Sequence, residues 1–138
     1  MHDPVRRIRY LEAMRFQRDS AGKINLIHSY EPGLLRIGDR NLRRSVLVTA
    51  EQLIENWRPC RPGELEAHDL EPLLEWGPEI VLIGTGRQQF FPDERRLTAL
   101  RRAGIGVEIM DTGAACRTFN LLAAEGRRVA AALILENE

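Results

Sequence analysis

Residues 110–120 read MDTGAACRTFN, and Asp111-Thr112-Gly113-Ala114 within them has the form of an aspartic protease catalytic loop. In a retroviral-type protease two such aspartates meet across a dimer and share a proton. The chain has about the right length for that. However, Gly113 leads into a twelve-residue helical pattern where the protease needs further strand and hairpin. Helical patterns at 69–76 and 93–104 are equally foreign to an all-β protease, so protease chemistry is not expected. A dinucleotide site is the second chemistry suggested. Gly84-Thr85-Gly86 follows an apolar run, with Glu108 in the next such run and Asp111 at its end, which imitates the Rossmann order. Here Gln89 stands at the third glycine position, and QQFFPD (88–93) delays the following helix. Phosphates would lose the helix N-terminus that normally receives them.

A less specific site remains. If the runs 79–86 and 107–113 are neighbouring parallel strands, their loops share the carboxyl edge of the sheet, where open α/β sheets bind ligands. The helix over 114–125 begins at that edge. Its wheel puts Ala115, Cys116, Phe119, Leu122 and Ala123 on a core face, with Arg117 and Asn120 to one side and Thr118 and Glu125 further round. Gly84, Thr85, Gly86, Asp111, Thr112, Arg117, Thr118 and Asn120 are therefore the candidate ligand-binding residues, suited to an anion or a partner. The competing reading is an internal Asp111–Arg117 ion pair that fixes the loop. Cys116 leans toward the apolar face, as a buried packing residue would, and no histidine lies close in sequence to activate it.

Positioning these residues requires strands and helices in a set order. INLIHSY (24–30), LLRIG (34–38) and SVLVTA (45–50) suggest an antiparallel meander, with turns at 31–33 and 39–41. IENWRPC (54–60) suggests a further strand. DLEPLLEW (69–76) suggests a helix capped by Asp69 and stopped by Gly77 and Pro78; DERRLTALRRAG (93–104) suggests one capped by Asp93. EIVLIGTG (79–86) and VEIMDTG (107–113) read as strands buried on both faces, and RVAAALIL (128–135) as a last strand. Residues 1–22 read as an N-terminal extension forming a short Arg-rich helix, and 23–138 as a single α/β domain.

Composition narrows the function classes. Charges balance overall, but residues 1–61 carry +5 and 62–138 carry −5. No apolar run reaches the roughly 18 residues of a membrane span, and no basic block is interleaved with aromatics, so nucleic acid is not an expected partner. Cys60 and Cys116 form no metal pattern and read as free thiols of a reducing compartment, and His2, His28 and His68 are scattered. No metal or cofactor is expected. The chain lacks a nucleophile–base pair, a metal cluster and a complete phosphate loop. The expectation is a non-catalytic, cytoplasmic protein-interaction or assembly module. The alternative is a small-anion or nucleotide-binding protein, or an enzyme, using loops 84–87 and 111–118.

IGTG (83–86), FP (91–92), GIGVEIMDT (104–112) and AACRTFNLLAAEGRRVAAALI (114–134) together resemble a small domain family. It consists mostly of bacterial and archaeal proteins without an assigned chemistry and includes the mitochondrial assembly factor 3 of respiratory complex I. The resemblance runs from about Ile24 to Ile134. It implies a three-layer α/β domain with a central mixed sheet, flanking helices and a small additional N-terminal antiparallel sheet, one strand of the central sheet being reversed. It also implies a link to respiratory-complex assembly. The family's motif positions fall on the candidate residues above, with Glu125 and Arg127 beyond them, and mark a site without a reaction.

Overall fold

A computed structural model of the chain describes residues 24–136. The helix expected within 1–22 lies outside the described residues. Three short strands come first: β1 (Ile27–Glu31), β2 (Leu34–Ile37) and β3 (Arg40–Leu42) form an antiparallel sheet in that order. The turn between β1 and β2 falls at Pro32-Gly33, as the sequence suggests. The next turn falls earlier than expected, at Gly38-Asp39, so Arg40 and Asn41 lie in β3. Neither is a strong strand former. Pairing across to Ile37 and Arg36 fixes them there.

The run at 45–50 does not continue this meander. Its core, β4 (Val46–Thr49), belongs to a second sheet together with β5 (Leu53–Ile54), β6 (Ile80–Gly84), β7 (Gly106–Met110) and β8 (Val129–Leu133). The strand order is β5-β4-β8-β6-β7. β6 is parallel to both β7 and β8, whereas β4 runs antiparallel to β8 and to β5. The sheet is therefore mixed, with β4 reversed against the parallel strands. The strand expected at 54–60 shrinks to the two residues of β5, because Trp57 leaves the edge and buries its ring beneath the sheet. β7 also departs from expectation. It is an edge strand, with Gly106 and Glu108 exposed, and not a strand buried on both faces.

Among the described residues there are three α-helices: α1 (Glu71–Trp76), α2 (Thr98–Arg102) and α3 (Thr112–Ala124). The first two are shorter than their patterns suggest, because a 3-10 turn takes up residues 67–70 before α1 and 94–97 before α2. Successive β8 side chains point to opposite faces of the sheet. On one face Val129, Ala131 and Leu133 meet Phe119 and Ala115 of α3 and Ile27, Leu35 and Ile37 of the small sheet. On the other face Ala130 and Ala132 meet Leu73, Leu100, Leu65 and Trp57. Alanines on the central strand let both outer layers approach closely. Phe119, fully buried, contributes roughly 2–3 kcal/mol by leaving water.

Asp69 does not cap α1 as expected; Leu70 holds that position. Asp69 lies within the preceding 3-10 turn, its side chain only 3% exposed. Its carboxylate accepts from Arg58 Nε at 2.9 Å, from Arg58 Nη2 at 2.6 Å and from the Glu66 N–H at 2.8 Å. Its carbonyl accepts from Trp57 Nε1 at 2.9 Å. Burial alone would raise this carboxyl's pKa. The Arg58 and Glu66 hydrogen bonds outweigh burial and hold it below the ordinary value. Its contribution is therefore present above the unfolded carboxylate range near pH ~4 and is lost as pH falls through the folded value. Asp69→Ala should cost about 1–3 kcal/mol at neutral pH. In urea titrations, that difference from the wild type should shrink as pH falls through the lowered folded value of this carboxyl. A pH-independent difference would show that the carboxylate charge is irrelevant.

Candidate functional site

The parallel register places Gly84, the last residue of β6, beside Met110 of β7 and Leu133 of β8. Three strand tips thus meet at one edge, and α3 starts directly above them. Gly84 is required by that approach, since a Cβ built on it would lie 2.9 Å from the Thr112 Cα and 3.2 Å from the Ala115 Cβ. A dinucleotide fold uses such a glycine to admit a pyrophosphate. Here the space is filled by the helix itself.

The polar groups of the two loops bond to one another. The Thr85 N–H donates to the Met110 carbonyl at 2.9 Å. The Thr85 hydroxyl donates to the Gln88 carbonyl at 2.7 Å and accepts from the Phe90 N–H at 3.1 Å. Gly86 adopts φ +96°, a conformation costly for any residue with a side chain. Its N–H donates to the Thr112 hydroxyl at 2.8 Å, and its carbonyl accepts the Thr112 N–H at 2.9 Å. The Thr112 hydroxyl donates in turn to the Ile134 carbonyl at 2.8 Å. Both threonines are buried, with side chains tied to three separate segments.

Asp111 is the N-cap of α3, one carboxylate oxygen accepting from the Ala114 N–H at 2.9 Å. The Asp111–Arg117 ion pair weighed from the sequence is not formed among the described residues. Arg117 is exposed and Thr118 half-buried. A Cβ on Gly113 would touch Asp111 Oδ1, Arg117 Nη1 and Tyr30 Cδ2, so these three side chains surround the first turn of α3. Asn120 has a different task. Its Oδ1 accepts the Ile27 N–H at 2.8 Å and its Nδ2 donates to the Ile27 carbonyl at 2.7 Å. This paired contact fastens the small sheet to α3.

Two residues near the motif loops carry shifted titrations. Burial pushes the Cys116 thiol up to about 12; Asp111 adds to the shift and Arg117 opposes it. Burial also raises the Tyr30 phenol, helped by Cys116, Glu136 and Asp111 and opposed by Arg87. Cys116 is thus a neutral packing thiol. At pH 8 iodoacetamide should modify exposed Cys60 and leave Cys116 unmodified until the chain is denatured. Rapid native labelling of both thiols would contradict this burial. Among the described residues, no group of three or more His, Cys, Asp or Glu is placed to hold a metal ion. Surface hollows of about 350, 310 and 280 Å³ lie elsewhere, and none is lined by residues 84–86 or 111–118.

Comparison with known proteins gives this geometry a setting. Residues 27–134 match the family described as "Protein of unknown function (DUF498/DUF598)". The chain belongs to this family. Over 118 residues it is 50% identical to the Homo sapiens NADH dehydrogenase (ubiquinone) 1 alpha subcomplex assembly factor 3, covering 86% of this chain and 64% of the relative. It thus spans just under two thirds of that relative's length. It is 32% identical over 102 residues to the "13 kDa major membrane protein" of Francisella tularensis, covering 73% of this chain and 81% of the relative. Among solved structures, a Bordetella parapertussis protein superposes with a TM-score of 0.77 at 34% identity, covering 84% of this chain and 99% of that one. The three-layer α/β architecture is that of the DUF498/DUF598 family.

Other residues at this edge escaped the sequence reading. Tyr30 and Glu136 reach it from remote strand and tail positions, and nothing local in the sequence marks them. Phe90 and Phe91 carried a signal. They are adjacent aromatics outside any apolar period, and they are 44% and 71% exposed. The Gln89 side-chain amide donates to the Ile109 carbonyl at 3.0 Å, which together with Thr85 holds this aromatic loop beside β7.

Proposed function

We propose that this chain is a non-catalytic protein-interaction module that aids assembly of a respiratory complex of the NADH dehydrogenase class, acting in the cytoplasm. The observation that carries the proposal is the 50% identity to an assembly factor of that complex over 118 residues. The site geometry supports it. The motif hydroxyls and the Asn120 amide hold segments of the chain together, while the exposed aromatic pair beside β7 has the character of a contact surface. Among the described residues, no helix is long and apolar enough to cross a membrane.

Native gels of the source organism's membranes test the proposal. Deleting the gene should lower fully assembled NADH dehydrogenase several-fold and leave subcomplexes, and re-expressing the wild-type chain should restore it. Unchanged assembly in the deletion strain would overturn the proposal.

A further inference from the structure

Among the described residues, no strand covers the β7 edge of the central sheet. Gly106 donates its N–H to the Glu79 carbonyl, and the Met110 carbonyl accepts from Thr85. Gly106, Glu108 and Met110 therefore turn their backbone groups toward β6, and Val107 and Ile109 turn theirs outward, by the alternation of a parallel ladder. Of the outward groups, the Ile109 carbonyl is taken by Gln89. Among the described residues, the N–H and C=O of Val107 and the N–H of Ile109 face no strand. The other sheet edges are shorter or fastened: β5 has two residues, β3 has three, and β1 is clamped at Ile27 by Asn120.

We infer that β7 receives an extended segment of the partner protein as an additional strand, with a basic residue of that segment facing Glu108 and apolar residues on Phe90 and Phe91. This rests on the assembly reading and names the surface and the partner chemistry. Strand addition draws affinity from main-chain hydrogen bonds and specificity from alternate side chains. The charge decides between occupants. Glu108 is exposed and forms no ion pair among the described residues. In the two-fold antiparallel register that engages both Val107 and Ile109, a second copy of this chain would set Glu108 against its own equivalent. Like charges directly opposite destabilise such a pair. A lysine or arginine on an incoming strand does the reverse. Gln89 closes the open row at its carboxyl end, so the added strand needs to engage only two β7 residues directly.

Photocrosslinking with the full chain in the source organism tests this. A photoreactive benzoylphenylalanine replaces Phe91, or replaces exposed Leu121 on α3 as a control. Position 91 should cross-link to an NADH dehydrogenase subunit, on a segment with Lys or Arg within two residues, at least tenfold more than position 121. Val107→Pro removes the outward N–H and adds a ring at the edge, where proline is tolerated. It should cut the cross-link at least tenfold in a chain that still unfolds cooperatively, its melting temperature lowered only by the loss of Val107's packing on the core. Should that variant unfold, the surface substitution Glu108→Lys provides the same reading. Cross-linking to a second copy of this chain, or full cross-linking in a folded Val107→Pro or Glu108→Lys variant, would overturn the strand-addition inference. Cross-linking to those subunits from position 121 instead would also overturn it while leaving the assembly proposal intact. Loss of the assembly proposal shows separately, as an unaffected native gel in the deletion strain.

Discussion

Gly84→Val should destabilise the protein by about 3 kcal/mol, lowering the melting temperature by roughly 10 °C. A Cβ at this position meets the Thr112 Cα at 2.9 Å. That atom is backbone at the first turn of α3, so no side-chain rotation relieves the contact. Valine adds two methyl groups beyond the Cβ. To admit them, α3 must move off β6, which opens the Gly86–Thr112 bonds and the packing of Ala115 and Phe119. Gly84→Ala should show the same effect at about half the size. Chemical denaturation of both variants checks the order. A Gly84→Val protein as stable as the wild type would mean that the close approach is not what this glycine serves.

Asn120→Ala should cost a similar amount, about 3 kcal/mol, for a different reason. The substitution leaves both the N–H and the C=O of Ile27 without partners, and Ile27 is buried. Each orphaned buried group costs roughly 1–3 kcal/mol. The loss should be local before it is global. In hydrogen exchange, amides of β1 and β2 should lose protection ahead of those of β6 and β8, because Asn120 joins the small sheet to the helix covering the central one. Asn120→Asp should be as damaging, since a carboxylate cannot donate to the Ile27 carbonyl. Uniform loss of protection across both sheets would show that Asn120 acts on the whole molecule and not on the attachment of the small sheet.

Parts of this arrangement were legible in the sequence because their causes are local. The apolar run 80–84 after Pro78, and the wheel that buries Ala115, Cys116 and Phe119, state their own environments. Gly77, with positive φ, lies just past α1, as expected, and Gly104 and Gly126 take the same positive-φ place after α2 and α3. Other parts depend on partners far along the chain. β4 reads as the next strand of a meander, yet it pairs with residues 130–133, and no turn signal nearby announces that. β3 contains Arg40 and Asn41, whose types suggest a turn. Asp111, Thr112 and Asn120 were recognised as a cluster, but polar residues at a strand–helix junction serve a ligand or the fold with the same composition. Only the positions of Ile27, Gly86 and Ile134 reveal what they touch.

The Gly-Thr-Gly and Asp-Thr loops form an internal tie, and the β7 edge is the surface proposed to meet a partner. Thermal unfolding of the wild type and of Thr112→Val, each with and without millimolar phosphate, citrate or ADP, tests the tie most directly. Valine keeps the shape of threonine and removes the hydroxyl that accepts from Gly86 and donates to Ile134. Thr112→Val should lose about 2 kcal/mol in every buffer, and wild-type melting should be unmoved by any of the three anions. A variant that melts like the wild type, alongside a wild type stabilised by one of these anions only when Thr112 is present, would contradict the internal tie.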